Sequence, residues 1–202
     1  MSRGSICLNL SSVSTALLKQ VDLAVYSGEC LAIHTEDRRL LDGMRRLATG
    51  QSALLGGKVL IDGQPIHRPM ARDQRVAYIA ENPSQMMLFQ DMSYLRNLTF
   101  CLPRQIDSWF RRRSIDKDFR VLNTLVKYAL IFRRVVLQQP RVVFFEQPFW
   151  GNDVLLQQHI ERQVQLLLAK KIAVVVLIVG IYDAFPLAER TLIYKNGHLL
   201  TQ

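Results

Sequence analysis

The stretch Arg141-Val-Val-Phe-Phe-Glu-Gln-Pro-Phe-Trp-Gly-Asn-Asp153 decides the fold. Val142, Val143, Phe144 and Phe145 are continuously apolar rather than alternating, which is the pattern of a strand covered on both faces, as in a parallel sheet. Such a strand delivers Glu146 and Gln147 to the carboxyl edge of the sheet, the edge at which open α/β folds place their ligands. Pro148 and Gly151 then turn the chain away. Only one of the two residues at the strand end is an acid. An amide cannot accept a proton as a carboxylate does, so Gln147 cannot act as a general base.

Working outward, segments of strand and helix character alternate. Cys30–Ile33 and Val76–Ile79 read as short buried strands, and Leu40 to Ala48 as a helix. Lys58–Ile61, Asp62-Gly63 and Gln64–Ile66 form a hairpin signal, because Asp-Gly suits a two-residue turn. From Ser93 to Gln139 the pattern is mostly helical, broken near Pro103. Beyond Asp153, Leu156, Ile160, Val164 and Leu167 recur every three or four positions and predict an amphipathic helix. Ile172 to Val179 is the next strand, and Thr191–Tyr194 and His198–Leu200 close the chain as a hairpin around Asn196-Gly197. Strands alternating with helices predict an α/β fold with a mainly parallel sheet.

Composition sets limits. At 202 residues, 49% hydrophobic and 21% charged, the chain suits one globular domain. The longest apolar run, Ile172 to Ile181, is about half of a membrane span, and the start, MSRGSICLNL, has no secretory pattern. Cys7, Cys30 and Cys101 are odd in number and far apart, which fits a reducing compartment; His34, His67, His159 and His198 show no metal-ligand spacing. The net charge of +9 includes Arg38-Arg39, Arg45-Arg46 and Arg133-Arg134, which read as solvated helix faces. Trp109-Phe110-Arg111-Arg112-Arg113 is the one dense aromatic–basic cluster. With no base-reading module, nucleic acid is not an expected partner.

The order of these segments resembles the nucleotide-binding domain of ABC transporters over nearly the whole chain, and most of all the second nucleotide-binding half of the ATP-binding proteins of ribose-type sugar importers. The resemblance rests on Gln20–Leu23 through Ser27-Gly28-Glu29, on the spacing from Ile33 to Gly50, on Glu81, Met92-Ser93 and Asn97, and on Glu146 through Val154. Asp183, Ala188-Glu189-Arg190 and Gly197-His198-Leu199 continue the register. It implies a P-loop NTPase-like α/β core with a mainly parallel sheet, an N-terminal antiparallel β subdomain and a small helical subdomain at about 93–139, within a single domain.

The same register implies what has been replaced. The phosphate loop corresponds to Thr35-Glu36-Asp37-Arg38-Arg39-Leu40-Leu41-Asp42-Gly43. Leu41 stands where a lysine meets the β/γ-phosphates, and Asp42 where a hydroxyl holds magnesium. Without the lysine, about 1.5–3 kcal/mol of charge-assisted hydrogen bonding is missing, and the acids, placed near a helix N-terminus, repel the ligand. No aromatic residue stands near Ser11 to Ser14 to stack an adenine; Leu122-Asn123-Thr124-Leu125-Val126, at the glycine-rich signature, has no glycine; Val179 or Gly180 stands at the switch histidine. Glu146 and Glu81 are vestigial metal positions, Glu146 being expected as a paired structural acid.

No cofactor is therefore expected. The resemblance implies a non-hydrolysing pseudo-ATPase subunit, cytoplasmic and peripheral on the inner face of the cell membrane, partnered by membrane permease subunits and an active ATP-binding subunit. Met86, Met87, Leu88 and Phe89 are the permease-docking candidates, with packing inside the helical subdomain as the equal alternative. A weakly active or nucleotide-sensing subunit, using ATP and magnesium with Arg38, Arg39 and Glu146, is the second expectation, and a basic nucleic-acid binder the third.

Overall fold

A computed structural model describes residues 4–66, 74–100, 122–149, 153–180, 185–195 and 198–201. The cluster Trp109–Arg113, Cys101, Pro103, His67, Trp150 to Asn152, Asp183 and the Asn196-Gly197 turn lie outside the described residues.

Strands β1 (Ile6–Ser14), β2 (Val21–Tyr26), β4 (Gly56–Ile61) and β5 (Gln64–Pro65) form an antiparallel sheet in the order β2-β1-β4-β5. Its β4–β5 turn is at Asp62-Gly63, where both residues have positive φ (50° and 74°), the backbone that an Asp-Gly pair tolerates. The second sheet is built from β3 (Cys30–Thr35), β6 (Val76–Ile79), β7 (Val142–Glu146), β8 (Ala173–Val179), β9 (Arg190–Lys195) and β10 (His198–Thr201). Its order is β10-β9-β3-β8-β7-β6, parallel throughout except for the β9–β10 edge.

Parity along the central strands sorts the core into two layers. Leu31, Ile33, Val142, Phe144, Val175 and Leu177 pack toward the antiparallel sheet and helix α1 (Arg38–Ala48). Their neighbours Ala32, Val143, Phe145, Val174, Val176 and Ile178 pack on the other face. That face carries the helices α3 (Tyr94–Thr99), α4 (Thr124–Gln138) and α5 (Val154–Ala169), with the short α2 (Pro83–Met86) before them. Both faces of β7 are therefore covered, which is why its sequence is apolar without alternation. In α5 the buried residues are Leu156, Ile160, Val164 and Leu167, and the side chain of Asp153 accepts from Leu156 N–H to start the helix.

Two ion pairs join the ends of the layers. Glu29, at the Gly-Glu turn, accepts from Tyr26 N–H at 2.8 Å and from Arg190 Nε at 2.8 Å, and the Arg190 guanidinium lies 5.6 Å from the Tyr26 ring centroid. Arg141 Nη2 donates to Asp62 Oδ1 at 3.0 Å; its Nε sits 2.7 Å from Asp62 Oδ2 as an ion pair, with the N–H pointing off the hydrogen-bond direction.

Candidate functional site at the carboxyl edge of the parallel sheet

The strand ends of β3, β7 and β8 meet at one edge, and they bring together the residues expected at a phosphate loop and its acid pair. Between the end of β3 at Thr35 and the start of α1 at Arg38 stand only Glu36 and Asp37. The sequence placed the helix start near Leu40. The correction comes from the cap: Asp37 is in extended backbone and its Oδ1 accepts from Arg39 N–H at 2.8 Å, so the first turn forms two residues earlier. The buried Thr35 hydroxyl fixes that cap by accepting from Asp37 N–H at 2.9 Å.

The residues of the expected loop thus become helix. Leu40 and Leu41 are buried in the core with Met44 and Leu47, so the position matched to a lysine points inward. Gly43 lies inside α1, where a Cβ would come within 2.5 Å of Leu18 Cδ2; it permits close approach of helix and loop rather than a turn. Asp42 is also corrected. It does not face the helix N-terminus but pairs with Arg45 and, at 3.3 Å, with Arg46. The hydrogen bond from Arg45, followed by the charge of Arg45, holds its carboxyl below the usual carboxylate range. Arg38 and Arg39 are exposed in the first turn. The guanidinium that reaches the acid of β7 is that of Arg45, with Nη1 3.8 Å from Glu146 Oε1.

Glu146 is buried and has a second partner, the Tyr78 hydroxyl, which donates to Oε2. Burial, and after it this hydrogen bond, pushes the Tyr78 phenol far above its usual range, so Tyr78 stays a neutral donor. Neither Arg45 nor Tyr78 was singled out in the sequence. Gln147 has a left-handed backbone (φ 46°), and its groups are spent on β8: its N–H donates to Leu177 O at 2.9 Å and its Oε1 accepts from Val179 N–H at 3.2 Å. His34, also unforeseen, is buried with Nδ1 3.0 Å from Gly180 O, while Gly180 N–H donates to Thr35 O at 2.9 Å. Glu81 stands in the bend two residues after the end of β6, the strand that pairs with β7.

A fold of this kind implies a nucleotide and a magnesium ion at this edge, and the residues present do not fit them. A two-residue connection leaves no loop to wrap phosphates. The Asp37 carboxylate takes a helix N-terminal N–H that an anion would use, and the acid that would face the metal already faces a guanidinium. Among the described residues no group of three or more His, Cys, Asp or Glu side chains is arranged to hold a metal.

The remaining candidates divide. Asn123 caps α4, accepting from Val126 N–H at 2.9 Å, and Leu125 and Val126 are exposed in its first turn, with Leu122 packed against the core. Of the docking residues, Leu88 is only 6% exposed and belongs to the core, which removes it from any docking surface. Met87 also packs inward, its Sδ accepting from Ala80 N–H at 3.3 Å. Met86 and Phe89 stay 71% and 43% exposed, and they line a groove of about 390 Å³ with Tyr78, Phe100, Arg134 and Gln138. The buried side chain of Asn97 shapes this groove, pairing with both Phe89 N–H and Phe89 O at 2.8 Å.

Comparison with solved structures agrees with this architecture. An ATP-binding cassette of an ABC transporter in its ADP conformation superposes with a TM-score of 0.76, covering 97% of this chain and 90% of that one at 16% identity. The fold is that of an ABC ATPase domain. Another such domain, part of the cbiONQ transporter complex from Clostridium perfringens, gives a TM-score of 0.74 over 98% of this chain and 88% of its own, at 16% identity. In sequence, 92% of this chain is similar to the ribose import ATP-binding protein RbsA of Shigella dysenteriae, at 22% identity. A sulfate/thiosulfate import ATP-binding protein, CysA of Caulobacter vibrioides, matches 90% of the chain at 23% identity, over 58% of its own length. The chain spans about 40% of the ribose-import relatives it matches. No family model matches it.

Proposed function

We propose that this ABC ATPase domain serves as a non-hydrolysing subunit of an ABC transporter, a docking platform for a membrane permease beside an active ATP-binding subunit. The observation that carries this is the two-residue passage from Thr35 into α1, which leaves polyphosphate no loop to sit in. Gln147, its side-chain oxygen accepting from Val179 N–H, supports the same conclusion, since an amide cannot deprotonate water as a glutamate can. The groove edged by Met86 and Phe89 offers the permease an adaptable apolar seat. The chain attaches to the permease through that seat; among the described residues no helix is long and apolar enough to cross a membrane. The import of a sugar follows only from the relatives named for ribose.

A second reading has one observation in its favour: the relatives are named as ATP-binding import proteins. On it, the chain senses or slowly turns over nucleotide. Phosphate release by the purified chain, together with a tagged pull-down from detergent-solubilised membranes, separates the two. The platform retains a permease and an active ATP-binding subunit and releases no phosphate above background. A chain recovered without a permease and hydrolysing ATP by itself would overturn it.

A further inference from the structure

We propose that Arg45 is the built-in counter-ion of Glu146, its half-exposed guanidinium filling the place at the sheet edge where a nucleotide-hydrolysing site of this fold holds its metal. The inference deepens the non-hydrolysing reading and rests on it. Glu146 is 3% exposed at the end of β7, and a carboxylate so far from water is strongly unfavourable unless charge and hydrogen bonds replace its hydration. Both are supplied from within the chain. Tyr78, one strand away, donates its hydroxyl to Oε2, and Arg45 stands 3.8 Å from Oε1.

Arg45 is not a free surface arginine that happens to lie nearby. Asp42, one turn earlier, holds its guanidinium, and Arg46 holds Asp42 from the other side. The helix bearing all three is fixed by Leu40, Leu41, Met44 and Leu47 in the core. Two carboxylates face two guanidiniums, so the cluster is neutral and gives a divalent cation no net attraction. Replacing Leu41 by lysine alone would therefore not restore a nucleotide site, because the negative pole is already matched.

A double-mutant cycle tests this, with Arg45→Met, Glu146→Gln and the pair compared in thermal unfolding of the full chain, with and without millimolar manganese. Arg45→Met is expected to lower Tm by roughly 3–8 °C and manganese to recover part of that loss. In the Glu146→Gln background the same change is expected to cost less than half as much, and manganese to do nothing. The unmodified chain is expected not to respond to manganese. Equal losses in both backgrounds, or a manganese shift in the unmodified chain as large as in Arg45→Met, would overturn the assignment. If Arg45→Met does not fold, the double variant decides: cooperative unfolding supports the pairing, and failure to fold overturns it. Phosphate release from ATP by the unmodified chain would instead sink the non-hydrolysing reading, and the cycle is blind to that.

Discussion

Buried polar groups carry most of the information at the scale of single residues. His159 on α5 has an Nε2 that is buried with no hydrogen-bond partner among the described residues. Burial first, and then the charge of Arg162, lowers its pKa below the usual 6.5. The unfolded chain therefore takes up the proton before the folded one does, so stability is complete above 6.5 and falls as the pH drops below it. Urea titrations at neutral and mildly acidic pH should show this loss, and His159→Gln should flatten it; an unchanged slope in the variant would refute the assignment. Burial also pushes the Cys7 and Cys30 thiols up, to about 11 and about 12, so neither should react with a thiol reagent in the native protein near neutral pH. Glu146 and Gln147 were legible in the sequence because four apolar residues ahead of them fixed a strand and hence its end. Arg45 was not. Its partner lies on a distant strand, and an Arg-Arg doublet on a helix reads equally well as a solvated face.

Among the elements, α1 is where sequence and structure part most instructively. Its apolar spacing announces a helix, but an acid such as Asp37 between a strand and a helix reads in sequence equally as a charge or as a cap, and only the structure shows it capping the first turn. Asp37→Ala should therefore cost about 0.5–2 kcal/mol of stability, measured by chemical denaturation. Gly43→Ala would ordinarily favour a helix, but here the added methyl meets the buried Leu18. Overpacking should make the variant less stable by about 1–3 kcal/mol, and a stabilised variant would contradict the close approach of α1 and the loop after β1. The groove segment tells a related story. Four successive apolar residues from Met86 to Phe89 carry no period that sorts inside from outside, so only the fold could separate the buried Leu88 from the exposed Met86. Asn97, matched in the sequence only as part of a motif, turns out to hold Phe89 by its backbone. Asn97→Ala leaves those backbone groups unpaired and should cost about 1–3 kcal/mol in the same denaturation measurement. The Phe89 ring, which packs edge-on against Phe100, should become mobile in that variant.

For the whole molecule, the parallel sheet was readable because its inner strands β3, β7 and β8 are nearly continuous apolar runs, whereas the antiparallel N-terminal sheet followed only from the family resemblance. What ties the layers together was not readable, since Glu29–Arg190 and Asp62–Arg141 join positions far apart in the chain. The first of these is largely buried and hydrogen-bonded, and Arg190→Met should show a larger loss of stability than Arg141→Met, whose pair is more exposed to solvent. The molecule as a whole keeps the fold of an ABC ATPase domain, and on the proposed non-hydrolysing reading its own side chains close the edge: Asp37 on the Arg39 N–H, Leu41 in the core, Arg45 beside Glu146. Calorimetric titration of the purified chain with magnesium-ATP tests that closure most directly. The account predicts no saturable heat up to millimolar nucleotide. Micromolar binding that is lost in Glu146→Gln would contradict it.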